Sequence, residues 1–219
     1  MKKRLLTLFT AMAMVVCMTA CGSSFDASGY VEGYLDANFK GEFDAYAKIC
    51  DKETSEVEDA YNETLDEVLS GYLTGIALSE DSTAQLREAF IAVFKQAKYS
   101  VGEAKKDGNK YTVSVKVEPL YLGLTTESMT ALSEEAAKKY TEEYPDDASY
   151  DTDKLYGIIG ELLIDFLNDK AENPTYGEAS TIDVVVYPNE DKQYTISTED
   201  QTALATGIFT NDEVPGAEK

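Results

Sequence analysis

Residues 110–118 read Lys-Tyr-Thr-Val-Ser-Val-Lys-Val-Glu, and this stretch carries the clearest strand pattern of the chain. Every second residue from Tyr111 to Val117 is apolar and the residues between them are polar, which is typical of a strand with one buried face. The same alternation over residues 99–103 precedes it, and the polar residues 105–109 are typical of the turn between two strands. The stretch therefore predicts a β-hairpin that buries one face in the core.

A second hairpin is predicted near the C-terminus. Residues 180–188, with three consecutive valines at their centre, and residues 193–197 flank a polar turn. Helical periodicity predicts four helices before the first hairpin, two between the hairpins, and a short helix opened by a capping box at residues 198–201. Gly41 suits the end of a helix, so we expect a bend between the first two helices. The order predicts an α+β domain, in which an antiparallel sheet from two hairpins packs with several helices.

The N-terminus has the three parts of an export signal. A basic start at residues 2–4 is followed by an uncharged apolar run over residues 5–18 and by Thr19-Ala20-Cys21-Gly22. The end of this segment resembles a bacterial lipoprotein signal, which implies that residues 1–20 are removed and that Cys21 is lipidated, with palmitate-type acyl chains. An ordinary secretory signal cut after Ala20, with Cys21 incidental, is the alternative.

The resulting organisation has three parts after the signal peptide. We expect a lipidated tether at residues 21–29, a single α+β domain at residues 30–210 and a flexible acidic tail at residues 211–219. Several acyl chains on one cysteine hold a protein stably, since a single chain binds a membrane only reversibly. The expected location is therefore the cell membrane, lipid-anchored on its extracytoplasmic face. Processing would leave Cys50 as a free thiol, which we expect to be buried and unreactive.

Charge and composition restrict the function. The chain carries 41 acidic and 19 basic residues, a net charge of −22, and such a surface repels nucleic acid. It contains no histidine, so catalytic triads that need an imidazole are excluded, and no cofactor is indicated. The expected partners are the membrane, through the acyl chains on Cys21, and a protein or small ligand whose identity the sequence does not indicate.

Three short segments in the first predicted helices carry a fold resemblance. Tyr34-Leu35-Asp36-Ala37, Lys40-Gly41-Glu42-Phe43 and Ala45-Tyr46 resemble the N-terminal helices of cystatin-like, NTF2-like domains. The whole chain resembles lipoproteins of Gram-positive bacteria that carry such a domain. The resemblance implies a curved sheet with a pocket beneath it, and it makes the helices at residues 126–168 an insertion between the hairpins. The Asp and His that some members use for catalysis cannot be carried over, because this chain has no histidine.

Two sets of residues are candidates for a site. Phe90, Tyr99, Tyr111 and Val113 could line an apolar ligand pocket, although plain core positions account for them as well. Four aspartates could hold calcium, since calcium accepts several loop carboxylates, although solvated and helix-capping roles explain them equally. These aspartates are Asp146, Asp147, Asp151 and Asp153.

The functional prediction is a membrane-anchored, extracytoplasmic binding or interaction domain without enzymatic activity. The alternative is a hydrolase or isomerase that uses carboxylates in an NTF2-like pocket. A buried Asp or Glu with a raised pKa, facing such a pocket, would favour the enzyme.

Overall fold

Seven helices and a curled antiparallel sheet make up the part of the chain that the computed structural model describes, residues 25–72, 78–147 and 151–212. This confirms the α+β class, and the elements follow the predicted order. The helices are α1 (Ala27–Leu35), α2 (Asp44–Ile49), α3 (Thr54–Tyr72), α4 (Glu80–Phe94), α5 (Thr126–Glu143), α6 (Thr152–Glu172) and α7 (Thr198–Ile208). The strands are β1 (Lys98–Val101), β2 (Lys105–Asp107), β3 (Lys110–Glu118), β4 (Leu120–Tyr121), β5 (Ser180–Pro188), β6 (Tyr194–Ile196) and β7 (Phe209–Thr210).

Strand β3 is the centre of the main sheet. The strand order is β1-β3-β5-β6, and β2 also pairs with β3. All of these pairs are antiparallel, and β3 meets β5 with Val113 opposite Val184 and Val115 opposite Ile182. The two predicted hairpins therefore form one sheet, with the valines of β3 fully buried on its inner face. A separate parallel pair joins β4 to β7.

The first hairpin has a shorter turn than the sequence predicts. Residues 105–107, expected to belong to the turn, form β2 and pair with β3, so that Lys105 lies opposite Thr112. The turn is reduced to Gly108 and Asn109, and Gly108 takes a φ of +61°. A two-residue turn with a positive φ at glycine suits the twist of a hairpin, which allows the strands to extend further.

Helix α1 begins earlier than the expected start of the domain at residue 30. Asp26 caps it by accepting a hydrogen bond from the backbone N of Gly29 at 2.9 Å. The Phe25 ring stacks on Tyr194 of β6 with ring centroids 3.9 Å apart. Part of the expected tether therefore belongs to the folded domain, because an N-cap and an aromatic contact hold it there.

The bend predicted at Gly41 is confirmed. Helix α1 continues as a π-helical turn over Asp36–Lys40, and this turn ends at Gly41, which has a left-handed φ of +70°. Helix α2 follows directly and packs beside α1. Gly33 allows this approach, since a Cβ there would lie 3.0 Å from the backbone N of Tyr46.

Helices α5 and α6 lie between β4 and β5 along the chain, where the predicted insertion was placed. They share a small core of their own, formed by Ala136, Tyr140, Ile158 and Leu162. Helix α6 also packs on α4 and contributes Ile164 and Leu167 to the main core. These two helices are therefore joined to the rest of the domain through α6.

Helix α7 closes an edge of β5 that β6 leaves open. Strand β6 pairs with β5 only from Val186 onward. The backbone N of Val185 donates instead to Oδ2 of Asp200 at 3.2 Å. Ser197, rather than the predicted Thr198, caps the helix through the backbone N of Asp200. A carboxylate of the first turn thus replaces a missing strand partner.

Replacing Asp200 with alanine is expected to lower the free energy of unfolding by about 1–2 kcal/mol, because the half-buried N–H of Val185 loses its acceptor. Urea unfolding measures the change. Glu199→Ala is the matched control, because it removes the same charge from the same exposed first turn of α7. Equal losses in the two variants would contradict the role given to Asp200.

Candidate functional site

An open groove of about 480 Å³ runs between α1, with its π-helical continuation, and the edge strand β1. A volume of this size lies within the range of ligand-binding clefts, about 300–1,000 Å³. Its lining residues are Glu32, Asp36 and Lys40 from the helical side, Ala97, Lys98, Tyr99 and Ser100 along β1, and Lys116 and Glu118 from β3. The groove is therefore walled by charged and polar side chains.

The π-helical turn supplies two of these side chains. Turns of this kind are rare and are frequently found at functional sites. Asp36 begins the turn and Lys40 ends it, and both line the groove. Together with Glu32 they form a stripe of charged residues, each four positions after the last.

Tyr99 joins the two walls of the groove. Its hydroxyl donates to Oδ1 of Asp36 at 2.6 Å. Burial raises the pKa of Tyr99 far above the ordinary tyrosine value, and the hydrogen bond to Asp36 and the nearby carboxylates Glu42 and Glu32 raise it further. The phenol consequently stays protonated at neutral pH and is fixed as a donor to Asp36.

Lys40 is held at the end of the same groove. Its ammonium donates to the carbonyl oxygens of Lys95 and Ala97, and Nζ lies 5.6 Å from the centroid of the Tyr99 ring. Burial lowers the pKa of Lys40, while the carboxylates of Asp36 and Glu42 act in the opposite direction. Because two carbonyls fix the ammonium, Lys40 orients the π-helical turn against the end of β1.

The structure places the four pocket candidates that the sequence indicated in two different environments. Phe90, Tyr111 and Val113 are buried in the main core, at 5%, 6% and 0% exposure. The Tyr111 ring packs against Tyr194 with centroids 5.7 Å apart. Only Tyr99 among the four lines the groove. Sequence reasoning missed Glu32, Asp36 and Lys40, although their spacing of four residues on a helix was a readable signal.

Two of the four aspartates considered for calcium have structural partners. Asp147 accepts hydrogen bonds from the Tyr140 hydroxyl at 2.6 Å and from Nζ of Lys154 at 3.3 Å. Asp151 caps α6 and bonds to the backbone N of Asp153. Asp146 and Asp153 are exposed. Within residues 25–72, 78–147 and 151–212, no three Asp, Glu or Cys side chains form a group that could hold a metal ion.

The predicted lipidation site, Cys21, lies outside the described residues. Cys50 is fully buried, as expected, but it is disulfide-bonded rather than free. The free Cys50 thiol was expected only after removal of residues 1–20, so that expectation stays a prediction. No helix in the described part of the chain is both long enough and apolar enough to span a membrane.

The feature that would favour a carboxylate enzyme is not found in the described part of the chain. Asn38 is the only buried polar residue there, and it donates to the carbonyl of Tyr34 at 2.8 Å within the same helical segment. Each Asp and Glu of these ranges is at least partly exposed to solvent. No observation on these residues favours the hydrolase or isomerase alternative.

Comparisons with known proteins give one likeness of fold. No family model matches the chain, and no curated protein matches it either. The chain resembles the crystal structure of YcdA from Bacillus subtilis, which its description gives as a candidate lipoprotein, with a TM-score of 0.53 and 17% identity. The likeness covers 84% of this chain and 56% of YcdA, so the chain spans just over half the length of that protein. At this identity the likeness establishes a shared fold.

Proposed function

We propose that the chain is a lipoprotein, anchored through acyl chains on Cys21 at the extracytoplasmic face of the cell membrane, and that its domain binds a partner without catalysing a reaction. The sequence Met18-Thr19-Ala20-Cys21 after a basic start and an apolar run carries the proposal. The shared fold with YcdA, whose description names it as a candidate lipoprotein, supports it.

The charge of the processed chain is consistent with this placement. Removal of residues 1–20 takes away Lys2, Lys3 and Arg4 and leaves all 41 acidic residues, which makes the net charge more negative, from −22 to −25. An anionic membrane surface repels such a domain. The acyl chains, each buried CH₂ contributing about 0.8 kcal/mol, would therefore provide the attachment, and the protein surface would face away from the lipid headgroups.

The groove between α1 and β1 supports the binding role. Its walls are ordered by the bond from Tyr99 to Asp36 and by the two bonds from Lys40 to backbone carbonyls. Binding to a site that is already ordered avoids part of the entropy cost of association. We assign the binding surface of the domain to this groove.

The test of the anchor is incorporation of an alkyne-labelled fatty acid in a bacterial host, with Cys21→Ala compared with Cys17→Ala. We expect Cys21→Ala to lose all label and to retain residues 1–20, because the modified cysteine directs cleavage. Cys17→Ala is the matched control, since it changes another cysteine of the same leader. It should incorporate label as the parent chain does.

The mass of the N-terminal peptide provides a second readout of the same experiment. Lipidation forms a thioether on the sulfur of Cys21, so the modification adds a defined mass to the first residue of the mature chain. We expect the mature chain to begin at an acylated Cys21. Label on Cys21→Ala, or a mature peptide without acyl mass, would contradict the proposal.

A further inference from the structure

Strand β1 presents an unpaired backbone edge to the groove. The backbone N of Gly102 donates to the carbonyl of Ser114 at 2.8 Å, next to the pair of Val101 with Val115. In an antiparallel ladder the bonded residues alternate, so the N–H and C=O groups of Tyr99 and Val101 point away from β3. No other described residue bonds to these groups. The edge therefore offers donors and acceptors in the spacing of a sheet.

Helix α1 runs beside this edge and is attached to it near both ends. Ser28 Oγ donates to the carbonyl of Gly102 at 2.9 Å, and Lys40 donates to the carbonyl of Ala97. Between these two attachments the groove separates the helix from the backbone of the strand, and among the described side chains only that of Tyr99 is seen to cross it, to Asp36. Peptide-binding domains of one common type accept an extended peptide as an added strand at an exposed sheet edge.

The two walls of the groove differ in charge. Glu32 and Asp36 stand on the helical side with Lys40, whose ammonium is bonded to two backbone carbonyls. The side chain of Glu32 forms no ion pair within the described ranges. Lys98 and Lys116 stand on the sheet side, with Glu118 beside them. An extended peptide directs alternate side chains to opposite faces. A peptide of alternating charge can therefore place basic groups towards α1 and acidic groups towards the two lysines.

We propose that an extended segment of a partner protein, with alternating basic and acidic residues, adds to β1 as a further strand of the sheet. A second copy of this chain fits less well as the occupant, because two domains that each carry a net charge at least as negative as −22 repel one another. The proposal rests on the binding role assigned above and is independent of the lipid anchor.

The experiment measures binding of a fluorescent eight-residue peptide of alternating Lys and Glu to the full-length chain in neutral detergent micelles at low salt. Two further peptides carry N-methyl groups on every Lys or on every Glu. Residues whose N–H groups point towards β1 all have side chains on one face of the added strand. Methylation of one set should therefore abolish binding, and methylation of the other set should leave it unchanged.

Charge variants of the two walls provide the second measurement. Glu32→Lys and Lys116→Glu should each weaken binding of the parent peptide about fivefold. Glu161→Lys is the matched control for the first, because it makes the same change of charge at an exposed position on α6. It should leave the affinity within about twofold, and circular dichroism verifies that each variant is folded.

Three results would overturn the inference. These are absence of binding by the parent peptide, equal binding of both methylated peptides, and an equal effect of Glu32→Lys and Glu161→Lys. Cys21→Ala should bind the peptide as the parent chain does, because the groove does not involve the anchor. A failure of the lipid anchor and a failure of the groove are thus observed in different variants.

Discussion

Replacing Phe209 with alanine is expected to lower the free energy of unfolding by about 3–5 kcal/mol. Phe209 is fully buried at the end of α7, where β7 pairs with β4. Its ring lies 5.2 Å from the Phe39 ring and 5.7 Å from the Phe94 ring. The side chain thus packs the C-terminal end of the fold against the first and fourth helical segments. Its removal leaves a cavity, because these closely packed segments cannot move enough to fill it.

Urea unfolding measures this loss as a lower midpoint with an unchanged slope. Phe209→Leu is the control, because it keeps most of the buried volume and should cost less than about 1.5 kcal/mol. Equal effects of the two substitutions would show that the cavity left by the side chain does not determine the loss of stability.

Raising the pH above 10 is expected to destabilise the fold through its buried tyrosines. Burial raises the pKa of Tyr30 to about 12, the neighbouring Tyr46 hydroxyl offsetting part of the shift. Burial also raises the pKa of Tyr34, with the charge of Tyr30 adding to it, and the pKa of Tyr99 is raised as described. The unfolded chain ionises from pH 10 upward, whereas the folded chain keeps these protons. Their stabilising contribution is complete below pH 10 and is lost as the pH rises through the folded values.

Tyr30 alone should account for about 3 kcal/mol once both states are ionised, above pH 12, since one pKa unit corresponds to about 1.4 kcal/mol. The measurement is the free energy of unfolding by urea at stepped alkaline pH, together with the absorbance of tyrosinate. Tyr30→Phe should reduce the slope of the unfolding free energy against pH by the contribution of one ionisable group. Ionisation of all tyrosines while the chain remains folded would contradict the expectation.

The hairpins were readable from the sequence because their signal is local. The alternation at β3 and the central valines of β5 indicate which residues face the core. A run of polar residues marks the turn within each hairpin. The pairing of β3 with β5 was not readable, since the register between Val113 and Val184 depends on contacts across the inserted helices. The predicted cap at Thr198 is one residue late, because Ser197 accepts the hydrogen bond from the backbone N of Asp200.

The candidate site was only partly predictable. Tyr99 was identified as a pocket residue, but Tyr111, Val113 and Phe90, proposed with it, belong to the core. Apolar periodicity draws attention to buried faces, whereas Asp36 and Lys40 act from the polar side of a helix. Their arrangement also depends on a π-helical turn, which local propensity does not indicate, and on the distant strand β1 that receives them.

The contact of Phe25 with Tyr194 would determine how far the domain can move from the membrane. With Cys21 in the bilayer, as proposed, only four peptide units would separate the acylated residue from a side chain fixed in the fold. Such a linker spans at most about 14 Å, less than the radius of gyration of about 16 Å expected for a domain of this length. The domain would stay within a thin layer next to the bilayer and would meet partners by moving along the membrane surface. Encounters would then depend on lateral diffusion and on how closely a partner approaches the bilayer.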